Sequence, residues 1–145
     1  MNFVIDASVA IKWFIAEEDT EAALRLRPFH NDCHAPDPLI AEVTNAAWKK
    51  VMRGEIDASQ AQRIAQHLPI YIPNIHEAAN LNRRALEIAL DLRHPVYVCL
   101  YLACAEMVNG ALLTADGKLF AAVKNTAFAA RVHHIAALPG GFLPA

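Results

Sequence analysis

Three carboxylates stand where they could act together. They are Asp6 in Phe3-Val4-Ile5-Asp6-Ala7-Ser8, Glu42 in Leu39-Ile40-Ala41-Glu42-Val43-Thr44-Asn45, and Asp116 after Leu112-Leu113-Thr114-Ala115. Hydrolysis of a phosphodiester needs an attacking water and a counter to the phosphate charge. Bare carboxylates would repel that substrate. Carboxylates that hold Mg2+ or Mn2+ reverse the local sign and orient the water. Mg2+ takes hard oxygen ligands and keeps several waters, so a few acids suffice. The trio therefore suggests a divalent-metal nuclease. Polar neighbours could assist: Ser8 bonding a carboxylate or a metal-bound water, Asn45 sharing a helix face with Glu42 three residues away, and Thr114 buttressing the site beside Asp116.

Each acid taken alone has a plainer role. Asp6 and Asp116 could cap the helices that follow them, and Glu42 could be a solvated helix acid. A phosphatase with Asp6 as nucleophile usually carries a second Asp two residues on, and Ser8 stands there. No Walker loop or GxGxxG run supports a nucleotide cofactor.

The elements that must position these residues read as follows. Phe3-Val4-Ile5 is a short buried strand. A helix follows from Ser8 to Ile15, with Val9, Trp13 and Phe14 inward, and Asp19 or Thr20 caps a second helix to Leu26. His30 to Ala35 reads as a strand. Asp37-Pro38 is a strong helix start, Asp at the N-cap and Pro in the first turn, with the helix stopping at Gly54. Asp57 caps another helix to His67. The two prolines make Leu68 to Pro73 extended or irregular, and Asn74 caps a long helix from His76 to Leu92. Pro95 starts the next helix at its first helical position. Val96 to Leu102 would also suit a strand, but the length to Met107 favours a helix that is apolar nearly all round and thus buried. Ala111 to Thr114 is a strand, Asp116 to Lys124 a helix, and Arg131 to Ile135 a final strand.

Alternating strands and helices imply an α/β fold with a mostly parallel central sheet flanked by helices. Ligands in such sheets collect at the carboxyl ends of the strands. Asp6 and Asp116 both lie just past such an end.

The chain has 145 residues, which fits a single domain over 1–145. Apolar residues make up 55% and charged residues 19%, so there is material for a thick core, a subunit interface, or both. The longest near-continuous apolar run, Val96 to Ala105, falls short of a bilayer span. The N-terminus has no basic flank before its apolar run. Together these make a cytoplasmic protein with no membrane role the expectation. The net charge of −2 rules out a broad phosphate-attracting field, so any nucleic-acid role rests on a local site. Cys33, Cys99 and Cys104 form no CxxC pair and read as reduced core thiols. His30, Cys33 and His34 lack the distant partner pair of a zinc site.

Taken in order, these segments resemble the PIN domain, specifically the VapC-type toxins of toxin–antitoxin systems. The resemblance lies in Val4-Ile5-Asp6-Ala7-Ser8, Pro38 to Ala46, Pro95-Val96-Tyr97 with Leu100-Tyr101-Leu102-Ala103, and Leu113-Thr114-Ala115-Asp116. It implies a compact α/β fold, Mg2+- or Mn2+-dependent RNA cleavage, a homodimer, and a small VapB-like antitoxin as partner. Carried over, Asp6, Glu42 and Asp116 are the metal-site acids, and Ser8, Asn45 and Thr114 support them. The departure is Val98. The family motif has a metal-binding Asp after Pro-Val-Tyr, and valine supplies neither oxygen nor charge. Asp91 and Glu106 are poorly placed to replace it. The resemblance thus implies a nuclease weakened at Val98; the alternative is an inactive PIN fold that dimerises and binds an antitoxin or RNA.

Overall fold

The computed structural model describes residues 1–145. Its elements in chain order are β1 (Phe3–Ile5), α1 (Ala7–Ala10), α2 (Thr20–Leu24), β2 (Cys33–Pro36), α3 (Pro38–Met52), α4 (Ala58–Tyr71), β3 (Asn74–His76), α5 (Asn82–Leu92), α6 (Val96–Met107), β4 (Ala111–Thr114), α7 (Gly117–Val123) and β5 (Val132–His134). Short 3-10 turns fill several of the connections.

The strands form one sheet in the order β3-β2-β1-β4-β5. Every pairing in it is parallel. β1 and β4 are fully buried along Phe3, Val4, Ile5, Leu112, Leu113 and Thr114, as expected of strands covered by helices on both faces. The strand order reverses between β1 and β4. In open parallel sheets that reversal opens a crevice at the carboxyl ends, and Asp6 follows β1 there while Asp116 follows β4.

α6 is buried from Cys99 to Ala105 and packs mainly on α5, β1 and β2. The Pro95 start of this helix is displaced by one position. Pro95 is the N-cap with φ −54 and ψ 145, and Val96 is the first helical residue. Val98 still lies in the first turn. Gly110 lets the α6–β4 turn pass the chain start, since a Cβ there would sit 2.6 Å from the Asn2 carbonyl oxygen. Gly54 closes α3 at φ +73, where a Cβ is strained. Asp57 caps α4 through a capping box: its Oδ1 accepts from Gln60 N–H at 2.7 Å, and Gln60 Oε1 accepts from Asp57 N–H at 2.9 Å.

Four expectations fail. Neither Asp19 nor Thr20 caps α2 through its side chain: Asp19 precedes the helix at φ 61 with no side-chain bond, and Thr20 Oγ1 accepts from Glu17 N–H at 2.9 Å. Asn74 does not cap a helix; Asn74–His76 is an edge strand paired with β2. The Asn74 amide donates to the Asn31 and Cys33 carbonyls at 2.8 and 3.0 Å. The long helix consequently starts at Asn82. Leu68 to Tyr71 stays helical although Pro69 lies inside α4, because Leu68 is fully buried and Tyr71 packs edge-on against Trp13 and Phe14. Asp37 is not a side-chain N-cap. It has helical φ and ψ, and its Oδ1 accepts instead from Ala78 N–H at 3.2 Å.

All three cysteines are buried, and burial pushes the Cys33 and Cys104 thiols up to about 12. No single helix is long and apolar enough to cross a membrane.

Candidate active site

Asp6 is the first residue after β1 and the N-cap of α1. Phe3, Val4 and Ile5 bury the strand, so the carboxyl that follows is drawn in with it and is only 5% exposed. A buried carboxylate needs donors, and three are supplied. Ser8 Oγ donates to Oδ1 at 2.5 Å, Val9 N–H donates to the same oxygen at 3.2 Å, and Thr114 Oγ1 donates to Oδ2 at 2.5 Å. The register makes the last bond possible: Ile5 pairs with Leu113, so the next residues, Asp6 and Thr114, stand level. Each hydroxyl also takes a backbone N–H from the end of β4. Ala115 N–H donates to Ser8 Oγ at 2.9 Å, and Asp116 N–H donates to Thr114 Oγ1 at 3.0 Å.

Burial raises the Asp6 pKa above the usual carboxylate range. The bonds from Ser8, Thr114 and Val9 pull it down, and the nearby Asp116 charge adds to the rise.

Asp116 is the N-cap of α7, its Oδ1 accepting from Lys118 and Leu119 N–H at 2.8 and 3.4 Å. Its capping role and its place beside Asp6 therefore coexist. Glu42 comes from the exposed side of α3, with its carboxyl turned inward. The Tyr101 hydroxyl on α6 donates to Glu42 Oε1 at 3.2 Å. Partial burial raises the Glu42 pKa; the Tyr101 bond opposes the shift, and Asp6 reinforces it.

Asp6, Ser8, Glu42 and Asp116 line one cleft of about 390 Å³, together with Ala7, Tyr97, Val98, Tyr101 and Leu119. Thr114 lies beneath, bonded to Asp6. Asn45 is exposed and does not line the cleft; the shared helix face with Glu42 does not bring it in. Val98 forms part of the wall. No acid replaces it: Asp91 is exposed on α5, and both Glu106 oxygens are held by Arg84 at 2.8 and 2.9 Å. Sequence reasoning missed Tyr101. The available signal was its spacing, three residues after Val98 on one helix, which puts it on the same face. A larger cleft of about 540 Å³ lies between Trp13, Phe14 and α4, with Glu55 as its single acid.

The cleft offers only hard oxygen donors. Glu42 Oε2 and Asp116 Oδ2 accept no hydrogen bond from the protein. The acids do not converge closely enough for three of them to ligate one ion directly. That donor set fits a hard divalent cation that stays partly hydrated and takes one or two carboxylates.

Comparison with known proteins shows the family and the fold. The family model described as PIN domain matches residues 3–125. The chain is 31% identical over 121 residues to ribonuclease VapC3 of Pyrobaculum aerophilum, covering 82% of this chain and 92% of that protein. It is 32% identical over 121 residues to ribonuclease VapC1 of Mycobacterium tuberculosis, covering 82% and 89%. A crystal structure of the Pyrobaculum aerophilum protein PAE2754 shares the fold, with TM-score 0.68, 21% identity, and 94% and 85% of the two chains covered.

Proposed function

The chain belongs to the PIN-domain family, and on that premise we propose that it is a VapC-like endoribonuclease toxin that hydrolyses RNA phosphodiesters and is weakened at Val98. The observation that carries this is the meeting of Asp6, Glu42 and Asp116 in one cleft at the reversal point of the sheet. The named ribonucleases among its relatives support the reaction class.

Asp6, Glu42 and Asp116 would hold Mg2+ or Mn2+ between them, one or two directly and the rest through the ion's waters. A bound cation neutralises phosphate charge and lowers the pKa of water. The chain's own residues supply the positioning. Ser8 and Thr114 fix both Asp6 oxygens and favour its charged form. Tyr101 holds Glu42 towards the cleft. Asp116 is fixed by its cap bonds with one oxygen left free. Valine at 98 removes the acid that α6 would otherwise contribute.

A second reading has a specific observation behind it. Val98 is apolar, and neither Asp91 nor Glu106 compensates. The chain would then be an inactive PIN fold that binds RNA or an antitoxin without cutting. One assay separates the two: cleavage of total RNA with Mn2+ by the chain as it stands, by Val98→Asp, and by Val98→Asp with Asp6→Ala. One electrostatic contact to the reacting group is worth about 3 kcal/mol, so Val98→Asp should raise the rate tenfold or more, and Asp6→Ala should abolish it. Equal activity in the first two proteins means that Val98 is no lesion. No cleavage by Val98→Asp favours the binding module. Activity surviving in the third removes Asp6 from the site.

The family reading brings a VapB-like antitoxin and a homodimer in the cytoplasm. Exposed apolar pairs one turn apart, Trp48 with Met52 on α3 and Leu86 with Leu90 on α5, support surfaces that a partner covers. Co-expression with the product of a neighbouring short reading frame tests the antitoxin. Light scattering at high concentration tests the dimer, and a strict monomer would count against it.

A further inference from the structure

The cleft has an apolar side that hydrolysis of a phosphodiester does not require. Besides the acids, its lining includes Tyr97, Val98 and Leu119. Tyr97 is 75% exposed, and its ring packs on no other aromatic and makes no hydrogen bond within the chain. A tyrosine left so open at the mouth of an acid cleft presents a free π face.

Two cations adjoin cleft-lining residues along the chain: Arg93 precedes Tyr97 by four positions, and Lys118 stands between Asp116 and Leu119 with Gly117. Arg93 lies just before α6 with φ 53. Lys118 lies in the first turn of α7, where its N–H caps onto Asp116. Both are exposed, and neither enters an ion pair, unlike Lys12, Lys50 and Arg84. Exposed, unpaired cations on the segments that lead into the cleft suit a flexible nucleic-acid strand: the charges follow the phosphates, and an open aromatic ring takes a base.

We infer that Tyr97 is a stacking platform for an unpaired base of single-stranded RNA, next to the phosphodiester that the acids address. This rests on the ribonuclease reading for the identity of the polymer. It selects single strands because bases in an A-form duplex are stacked on one another and offer no free face. Stacking needs the ring and not the hydroxyl.

The test is anisotropy of a fluorescently labelled twelve-nucleotide RNA of mixed sequence, alone and annealed to its complement, at low salt with Mg2+. The proteins are the full chain, Tyr97→Ala, Tyr97→Phe and Tyr97→Trp. Tyr97→Ala should weaken single-strand binding about tenfold and leave duplex binding unchanged. Tyr97→Phe should bind like the parent. Tyr97→Trp should bind as well or better, and its added fluorescence should be quenched by the single strand and not by the duplex. The inference is overturned if Tyr97→Ala binds single strands like the parent, if Tyr97→Phe falls as far as Tyr97→Ala, or if both RNA forms lose equally. It is also overturned if Tyr97→Ala instead changes the mass seen by light scattering, which would make the ring a contact between copies. The two proposals fail separately. RNA binding that ignores Tyr97 sinks the platform alone, whereas Tyr97-dependent binding with no cleavage by Val98→Asp sinks the nuclease alone. No RNA binding by any of the proteins sinks both.

Discussion

Thr114 and Asp6 join two parallel strands through one hydroxyl. Thr114 Oγ1 gives its proton to Asp6 Oδ2 at 2.5 Å and accepts the Asp116 N–H at 3.0 Å. Ser8 does the same on the other oxygen, giving to Oδ1 at 2.5 Å and accepting from Ala115 N–H at 2.9 Å. Both hydroxyl protons are thus committed to Asp6, and the 3.5 Å approach of Ser8 to Thr114 has none left. The pair holds a buried charge in place and ties the acid after β1 to the acid after β4.

Thr114→Val tests this link. Valine keeps the shape and removes the hydroxyl, leaving a buried carboxylate oxygen and the Asp116 N–H without their partner. An unsatisfied buried group costs about 1–3 kcal/mol, so the melting midpoint in chelator should fall by about 3–9 °C. Thr114→Ser should keep most of the midpoint, since it retains the hydroxyl. A Thr114→Val protein that melts like the parent would show that the bond contributes little.

Metal linkage gives a second expectation. A ligand that binds only the native state stabilises it by mass action, about 1.4 kcal/mol at tenfold its dissociation constant. The midpoint with millimolar Mn2+ should exceed that in chelator by about 4 °C, and by more in Val98→Asp. Asp6→Ala should shrink the difference. If the difference is the same in Asp6→Ala, that acid is not part of the metal site.

Glu42 carries a sign that can be read by pH. Its folded pKa is raised by burial. The stability linked to it is therefore fully present below the unfolded value, about 4.3, and is lost as pH rises through the folded value. The substitution Glu42→Gln keeps the Oε1 acceptor for Tyr101 without the charge. In chelator, Glu42→Gln should raise the midpoint at pH 7.5 by about 1–2 °C, a small figure because the residue is exposed and partly screened. At pH 4 it should raise nothing. With Mn2+ at pH 7.5 the order should reverse, since the variant gives up a ligand. A gain at pH 4 equal to that at pH 7.5 would remove charge as the cause.

The sheet and its acids were legible because the signals are dense. Phe3-Val4-Ile5 and Ala111 to Thr114 are apolar runs that end in Asp or lead to it, and parallel pairing brings both ends to one edge. β3 was not legible. Asn74, Ile75 and His76 are three residues between turn formers, and what makes them a strand lies elsewhere, in the backbone of β2 and in the 2.9 Å contact between His34 and His76. The Tyr101–Glu42 bond spans 59 positions, so no local pattern carries it. Asn45 shows the converse limit: helical spacing puts it on the Glu42 side of α3, but spacing does not measure how far that side reaches over the cleft.

Pro69 is where local chemistry and packing disagree most, and the disagreement can be measured. Proline inside a helix removes one backbone bond and crowds the preceding turn, at about 3 kcal/mol in the general case. α4 nevertheless runs through it, since Leu68 is fully buried on one side and Tyr71 on the other carries the Arg27 guanidinium 4.5 Å from its ring centre. Pro69 itself is exposed, so replacing it removes little packing. Pro69→Ala should restore the missing N–H donor and raise the midpoint by about 3 °C, equivalent to roughly 1 kcal/mol, the remainder being lost to greater freedom of the unfolded chain. Amide exchange from Ile64 to Tyr71 should slow in the same variant. A lower midpoint would mean that the proline sets a bend on which the seating of Tyr71 against Trp13 and Phe14 depends.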